Sequence, residues 1–170
     1  MTLALETVNA LSPADFVARF GDVAEHSPWV AEVAAVARPF ASREAMIAAF
    51  AAAIEGASVA ARLALVRAHP DLAGKAARAG AVAEESRKEQ AGAGLSALTD
   101  ADFDRFTHLN AAYREKFGFP FILAVKGASK DVIFDAFETR LEYEPPAEFA
   151  EAIRQIVRIV RFRLEDRIAS

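Results

Sequence analysis

Cysteine is absent from this chain of 170 residues, and histidine occurs only three times, as His26, His69 and His108. Without cysteine the chain has no disulfide, no thiolate nucleophile, no cysteine-ligated zinc and no iron–sulfur cluster. The three histidines lie far apart in the sequence, and no HExxH motif or pairing with acidic residues gives them the spacing of metal ligands. We therefore expect no metal site.

Motifs that bind nucleotides are absent as well. Gly92-Ala93-Gly94 and Gly118 follow no predicted strand and lack the GK[ST] ending of a phosphate-binding loop. The net charge of −4 offers no basic surface for a phosphate backbone. The sequence therefore predicts neither a cofactor nor a nucleic-acid partner.

Long apolar runs are also missing. No uninterrupted apolar segment approaches the roughly 20 residues that a membrane-spanning helix needs. Residues 1–10 are apolar but lack the basic region that is typical of a secretory signal. These features predict a cytoplasmic protein without a membrane partner.

The composition is that of a globular protein, with 54% hydrophobic and 26% charged residues. A chain of this length and hydrophobic content can bury one sizeable core. No run of alternating β-branched residues indicates a sheet, and neither a repeat nor a linker divides the chain. We therefore predict an all-α fold, a single compact multi-helix bundle domain over residues 1–170.

Capping residues, prolines and glycines mark where the predicted helices begin and end. Ser12-Pro13 and Ser27-Pro28 each place a capping hydroxyl before a proline at the first helical position, which predicts helices from Pro13 and Pro28. Six further helices are predicted, from Ser42 to about Gly56, Ser58 to about Ala68, about Val82 to Ala93, Thr99 to about Phe117, Ser129 to about Leu141, and from near Ala147 almost to the C-terminus.

One segment, residues 67–75, combines an imidazole, a chain break and a carboxylate. Pro70 disfavours helical geometry at the preceding residue, so His69 is predicted to lie at a helix end. Its imidazole, with an ordinary pKa of about 6.5, suits either acid–base catalysis or a bond that closes the helix on a carbonyl. Asp71 is expected to be the N-cap of a following short helix.

A second group of polar residues is Ser86, Glu89 and Gln90. Spacings of three and four residues place these side chains on one helix face, so a hydroxyl, a carboxylate and an amide point the same way. Taken alone, the pattern fits either a solvated face or the polar side of a site.

Arg163 stands out in the last predicted helix. It follows Ile159 and Val160 by four and three residues, which places it on the apolar side, away from the polar face that carries Arg161. A guanidinium in the interior needs an anionic or strongly accepting partner. That partner is either a carboxylate of the protein or an acidic substrate.

Four segments, taken in order and spacing, resemble those of one family, the 2-oxo-4-hydroxy-4-carboxy-5-ureidoimidazoline (OHCU) decarboxylases of urate breakdown. They are HPDLAGK at 69–75, SRKEQAGAGL at 86–95, LNAAYREKFGFPFILAVKG at 109–127 and IVRFRL at 159–164. The resemblance extends from about Ser12 to Ile168.

The resemblance implies an all-helical, cofactor-free decarboxylase, usually a homodimer, that converts OHCU to (S)-allantoin. It implies that His69 is the catalytic histidine, Glu89 the catalytic carboxylate and Arg163 a substrate-facing arginine. The substrate-binding positions that it implies are Pro70, Ser86 and Gln90, together with a strip whose backbone holds the substrate ring, Phe121, Ile122, Leu123, Ala124 and Val125.

These residue types suit the reaction. Loss of CO2 leaves an electron pair at a ring carbon, which delocalises into the neighbouring C=N unit, so the site must stabilise negative charge and deliver a proton to one face. We assign His69 as the general acid or base. Glu89 either holds and polarises the imidazole or takes the proton of the substrate hydroxyl.

Two other functions fit the same residues. The chain is a non-enzymatic interaction domain if the phenylalanine-rich segment 117–121 forms a groove for a partner. It is a hydrolase if His69 and Glu89 activate water on a related ureido compound.

Overall fold

The computed structural model describes residues 1–74, 83–95 and 97–170. Within these ranges the chain forms nine helices and no strand, apart from an isolated bridge between Leu3 and Ile168. The all-α prediction is therefore confirmed. The helices are α1 Leu5–Ala10, α2 Pro13–Phe20, α3 Trp29–Ala35, α4 Arg43–Glu55, α5 Val59–Ala68, α6 Glu84–Gly92, α7 Asp100–Phe117, α8 Lys130–Leu141 and α9 Pro145–Arg167.

The chain divides into two compact units. The first consists of Met1–Ala68 and Ile156–Ser170, and the second of His69–Gln155. Helix α9 therefore belongs to the second unit in its N-terminal part and to the first in its C-terminal part. That residues 1–170 constitute a single domain stays a prediction.

Side-chain caps are present at the N-termini of five predicted helices. The side chains of Ser12, Ser42, Ser58, Thr99 and Ser129 each accept a hydrogen bond from the backbone N–H three residues later, at 3.0 to 3.3 Å. Each such bond satisfies a donor that the helix leaves unpaired and stabilises the fold by about 1 kcal/mol. The starts of these five helices were therefore readable from local residues.

Ser27 is an exception, and its predicted capping role is wrong. Its hydroxyl donates a hydrogen bond at 2.8 Å to the carbonyl of Glu25, so it closes a tight turn instead. His26 in this turn has φ of 47°, a left-handed conformation that is uncommon for residues other than glycine. Helix α3 begins at Trp29, after Pro28 in the N-cap position.

A phenylalanine cluster forms the core of the first unit. Phe16 lies at its centre, with its ring centroid 5.0 Å from that of Phe20 and 6.1 Å from those of Phe40 and Phe50. Full burial of one such side chain stabilises the fold by about 1.5–3 kcal/mol. Through Phe16 and Phe50, the cluster links α2 to α4.

The second unit has its own aromatic core, centred on Phe137 of α8. Its ring stacks on Phe121 at 3.7 Å and meets the edges of Phe106 and Tyr113 at 6.1 and 6.3 Å. Phe119 and Phe121 are buried, so the segment 117–121 contributes to this core. Its packing does not favour the exposed partner groove of an interaction domain.

The described part of the chain has no single helix that is long and apolar enough to cross a membrane. Helices α4 and α5 reach that length and composition only as a pair, across a bend of 110°.

Candidate functional site

His69 follows directly after α5, which ends at Ala68. This end confirms the predicted effect of Pro70 on the residue before it. The histidine is buried, with 6% of its surface exposed. A buried imidazole has restricted orientations, which suits a group that must transfer a proton in one direction.

Two amide side chains fix the backbone that follows His69. Asn110 on α7 donates from Nδ2 to the carbonyl of Leu72 at 2.8 Å, and Gln90 on α6 accepts at Oε1 from the N–H of Ala73 at 2.9 Å. Ala73 has φ of 51°, a conformation that alanine rarely adopts. The two hydrogen bonds support this unfavourable geometry and join α6 and α7 to the His69 segment.

Asp71 forms an ion pair with an arginine of α7, and its expected role as an N-cap stays a prediction. Its Oδ1 accepts from Nε of Arg114 on α7 at 3.0 Å. Three features of the sequence prediction lie outside the described residues. They are the short helix that Asp71 is expected to cap, Lys75 of the HPDLAGK motif, and Val82, from which the next helix is predicted. Asp71 thus contributes a further link between this segment and α7.

A cavity of about 480 Å³ adjoins the segment after His69. Pro70, Asp71 and Gly74 contribute to its lining, together with Asn110 and Arg114 of α7. This volume falls within the range of small-molecule sites. The second unit therefore has space for a small ligand beside Pro70.

Helix α6 turns one polar face inward. Ser86 and Gln90 are buried and Glu89 is half-buried. On the other side of this helix, Glu84 and Lys88 form an exposed ion pair at 3.0 Å. The interpretation of this helix face as exposed to solvent is therefore wrong for Ser86 and Gln90.

The strip 121–125 follows Pro120 and has no regular secondary structure. All of its residues are buried except Leu123, which is half-buried. The carbonyl of Ile122 accepts from Nη1 of Arg140 at 2.5 Å, and the N–H of Ala124 donates to Oε1 of Gln155 at 3.1 Å. The backbone of Leu123 makes no hydrogen bond to any residue that the structure describes.

A buried polar network contacts this strip through Arg140, and no local sequence pattern indicates it. The carboxylate of Glu148 accepts from Nε of Arg140 at 2.9 and 3.1 Å, and from the hydroxyl of Tyr113. Burial, with the hydrogen bond to Glu148 and its negative charge, raises the pKa of the Tyr113 phenol far above its usual range. Tyr113 lies within the 109–127 motif, but its partners are distant in sequence.

Gln155 was also missed, although it lies on the same long helix as Arg163. While Oε1 of Gln155 accepts from the strip, its Nε2 donates to Oε1 of Glu151 at 2.7 Å. Burial alone would raise the pKa of Glu151, but hydrogen bonds from Gln155 and Arg154 outweigh it and hold that pKa below its usual value. Glu151 is thus an anionic acceptor that orients the Gln155 amide.

Arg163 is buried in the first unit, with 2% of its surface exposed, which confirms its predicted place in the interior. Its Nη1 donates to the carboxylate of Glu25 at 2.9 Å and to the carbonyl of Val23 at 3.1 Å. Of the two partners that the sequence leaves open, the structure provides a protein carboxylate. Glu25 was not identified from the sequence, because nothing local distinguishes it from the exposed acidic residues.

Among residues 1–74, 83–95 and 97–170, no three histidine, aspartate or glutamate side chains are grouped so that they could hold a metal ion. In the second unit, His69, Ser86 and Gln90 are buried polar residues, and Glu89 is half-buried. The arrangement can hold a small polar molecule and exchange a proton with it.

A profile of the family described as OHCU decarboxylase matches residues 9–165. The 2-oxo-4-hydroxy-4-carboxy-5-ureidoimidazoline decarboxylase of Haloferax volcanii is 42% identical over 168 residues, which cover 99% of this chain and 98% of that protein. The protein of the same name from Halalkalicoccus jeotgali is 40% identical, with 96% of this chain and 91% of that protein covered. A crystal structure of (S)-allantoin synthase has a TM-score of 0.79 and 30% identity; the match covers 98% of this chain but 54% of that one, so this chain spans about half its length.

Proposed function

Since the chain belongs to the OHCU decarboxylase family, we propose that it converts OHCU to (S)-allantoin in urate degradation. The observation that carries this proposal is the identity of 42% with a named decarboxylase over 99% of the chain. The buried His69 and the inward polar face of α6 support it, because they supply the groups that the reaction needs. Neither the interaction domain nor the hydrolase has comparable support.

His69 acts in this proposal as the general acid or base, with Glu89 as its carboxylate partner. The bond from the ring carbon to the carboxylate breaks, CO2 leaves, and the electron pair forms a ring C=C bond while the adjacent C=N nitrogen takes up a proton. The hydroxyl on the first carbon then loses its proton and becomes a carbonyl, as the neighbouring ring carbon is protonated. A proton then has to reach one face of the ring, since the product has a single configuration. His69 suits this step because its orientation is restricted by burial.

Ser86, Gln90 and Pro70 bind the substrate in this proposal, together with the backbone of the strip 121–125. The unused backbone groups of Leu123 support the last assignment, because a partly buried peptide group gains from a hydrogen-bonding ligand. Arg163 binds the anionic part of the substrate, as its match to the family's arginine implies. Its contact with Glu25 fixes the orientation of the guanidinium.

We further propose that the protein works in the cytoplasm as a homodimer without metal or cofactor. The cofactor-free part follows from the chemistry, because the C=N unit of the substrate accepts the electron pair and a histidine with a carboxylate can move the proton.

The direct test is to add the protein to freshly generated OHCU and to follow the circular dichroism of allantoin. Spontaneous decay of OHCU gives racemic allantoin, so an excess of the (S)-enantiomer, formed faster than without protein, supports the proposal. An unchanged rate would favour the interaction domain, and a ring-opened product would favour the hydrolase.

Replacement of Glu89 by glutamine should lower kcat at least about tenfold, because the amide keeps the size of the side chain but loses its charge. Glu89→Asp should retain partial activity. The matched control is Glu84→Gln, the same change in the same helix at an exposed position, which should stay within twofold of the parent. If Glu89→Gln is as active as Glu84→Gln, Glu89 is a solvated helix charge without a catalytic role.

Exhaustive treatment with a chelator should leave the rate of OHCU decarboxylation unchanged, and elemental analysis should find no stoichiometric metal. A metal-dependent reaction would instead show loss of activity with the chelator and recovery on addition of one divalent ion.

A further inference from the structure

We infer that Gln155, with the buried Arg140–Glu148 pair, positions the strip 121–125 so that the peptide groups of Leu123 face the substrate. This inference rests on the proposed function, in which that strip binds the substrate ring. In this inference the three side chains do not touch the reacting atoms. They hold the backbone of the strip, which forms the binding surface.

The strip needs such support because it lacks the hydrogen bonds of a helix or a sheet. Buried backbone groups without partners are costly, and almost all of them are paired in folded proteins. Here two side chains supply the partners, one on each side of Leu123: Arg140 for the carbonyl of Ile122 and Gln155 for the N–H of Ala124. The two peptide groups that flank Leu123 are therefore each held through one of their atoms, which fixes the directions of the Leu123 N–H and carbonyl.

Each of the two supporting side chains is itself held by a carboxylate. Arg140 is paired with Glu148, which has no exposed surface, and its guanidinium lies 4.3 Å from the centre of the Phe121 ring. The planar, multi-donor group can meet the carboxylate and a carbonyl at the same time. The pair thus connects α8 and α9 with the beginning of the strip.

The orientation of the Gln155 amide is set by Glu151. An amide can turn by 180° and exchange its donor and acceptor, but a carboxylate accepts hydrogen bonds only. Because Glu151 takes the Nε2 donor at 2.7 Å, Oε1 is left to accept from Ala124. Glu151 therefore orients Gln155, and Gln155 in turn holds the strip. In this scheme neither side chain contacts the reacting atoms.

The test uses two variants of Gln155 in the full-length protein. Gln155→Leu removes the acceptor for Ala124, and we expect kcat/KM for OHCU to fall at least tenfold, with a rise in KM. Hydrogen exchange of the backbone amides in residues 119–125 should become at least tenfold faster, while near-ultraviolet circular dichroism shows that the protein remains folded.

Gln155→Glu keeps an acceptor near Ala124 but puts it beside the carboxylate of Glu151, so it should also impair kcat/KM and speed exchange. Adding Glu151→Gln to it reverses donor and acceptor between the two positions and removes the repulsion. This double variant should return to within about threefold of the parent in both measurements. Arg154→Gln is the matched control, because Arg154 is exposed and contacts Glu151 but not the strip, and it should stay within twofold.

Unchanged exchange and unchanged kcat/KM in folded Gln155→Leu would overturn the inference. The inference would also be overturned if the double variant were no better than Gln155→Glu in kcat/KM and amide exchange. This second comparison still tests the inference if Gln155→Leu does not fold. If the parent protein fails to accelerate OHCU decarboxylation, the proposed function fails, while the exchange measurements still decide whether Gln155 holds the strip.

Discussion

Replacing His69 by alanine is expected to lower kcat for OHCU decarboxylation by about a hundredfold or more. The alanine variant has no group that can exchange a proton at this place. The backbone next to it should keep its course, because side-chain hydrogen bonds from Asn110 and Gln90 hold Leu72 and Ala73. Steady-state kinetics with fresh OHCU, together with a circular dichroism spectrum, measure the two effects separately.

His108→Ala is the control for this change. His108 is exposed on α7, and its Nδ1 lies 2.7 Å from the carbonyl of Asp104 one turn earlier. Its removal should leave kcat within twofold of the parent. A His69→Ala protein with comparable turnover would show that His69 only closes the end of α5 and is not the acid or base.

Arg163→Ala should have the largest effect on stability, lowering the free energy of unfolding by about 3–5 kcal/mol. Its removal leaves the carboxylate of Glu25 buried without the cation 2.9 Å away. The sequence leaves open a substrate as the anionic partner of Arg163, in which case the variant without substrate would lose little stability. The contact with Glu25 reverses that expectation, and urea denaturation of the two proteins measures the difference.

Two further variants check the cause of this effect. Arg161→Ala breaks an exposed ion pair with Glu44 on the polar side of α9 and should cost at most about 1 kcal/mol. Replacing both Arg163 and Glu25 by methionine should recover part of the stability that Arg163→Ala loses, because no buried charge then remains unpaired. If Arg163→Ala is as stable as Arg161→Ala, the ion pair with Glu25 does not form in solution.

Features that depend on neighbours in sequence were predicted well. Ser42 and Thr99 cap helices because their bonds reach only three residues ahead. The burial of Arg163 was predicted from its position relative to Ile159 and Val160. Helical periodicity places the three side chains on the same face of the helix.

Features that depend on distant partners were not predicted. The bonds of Glu25 to Arg163 and of Tyr113 to Glu148 join residues that are 138 and 35 positions apart. No local pattern distinguishes these acidic residues from solvated ones. Ser27 shows the converse error: the local capping signal was good, but the hydroxyl bonds to the carbonyl of Glu25 in a turn.

The hydrogen bond between Gln90 and Ala73 also bears on selectivity among related molecules. The carbonyl oxygen of this amide accepts from the backbone, whereas the two N–H groups on its Nε2 are donors. If Gln90 binds the substrate as proposed, these N–H groups meet the carbonyl or carboxylate oxygens of OHCU. A heterocycle that places a hydrogen-bond donor against Nε2 should therefore bind less tightly than OHCU.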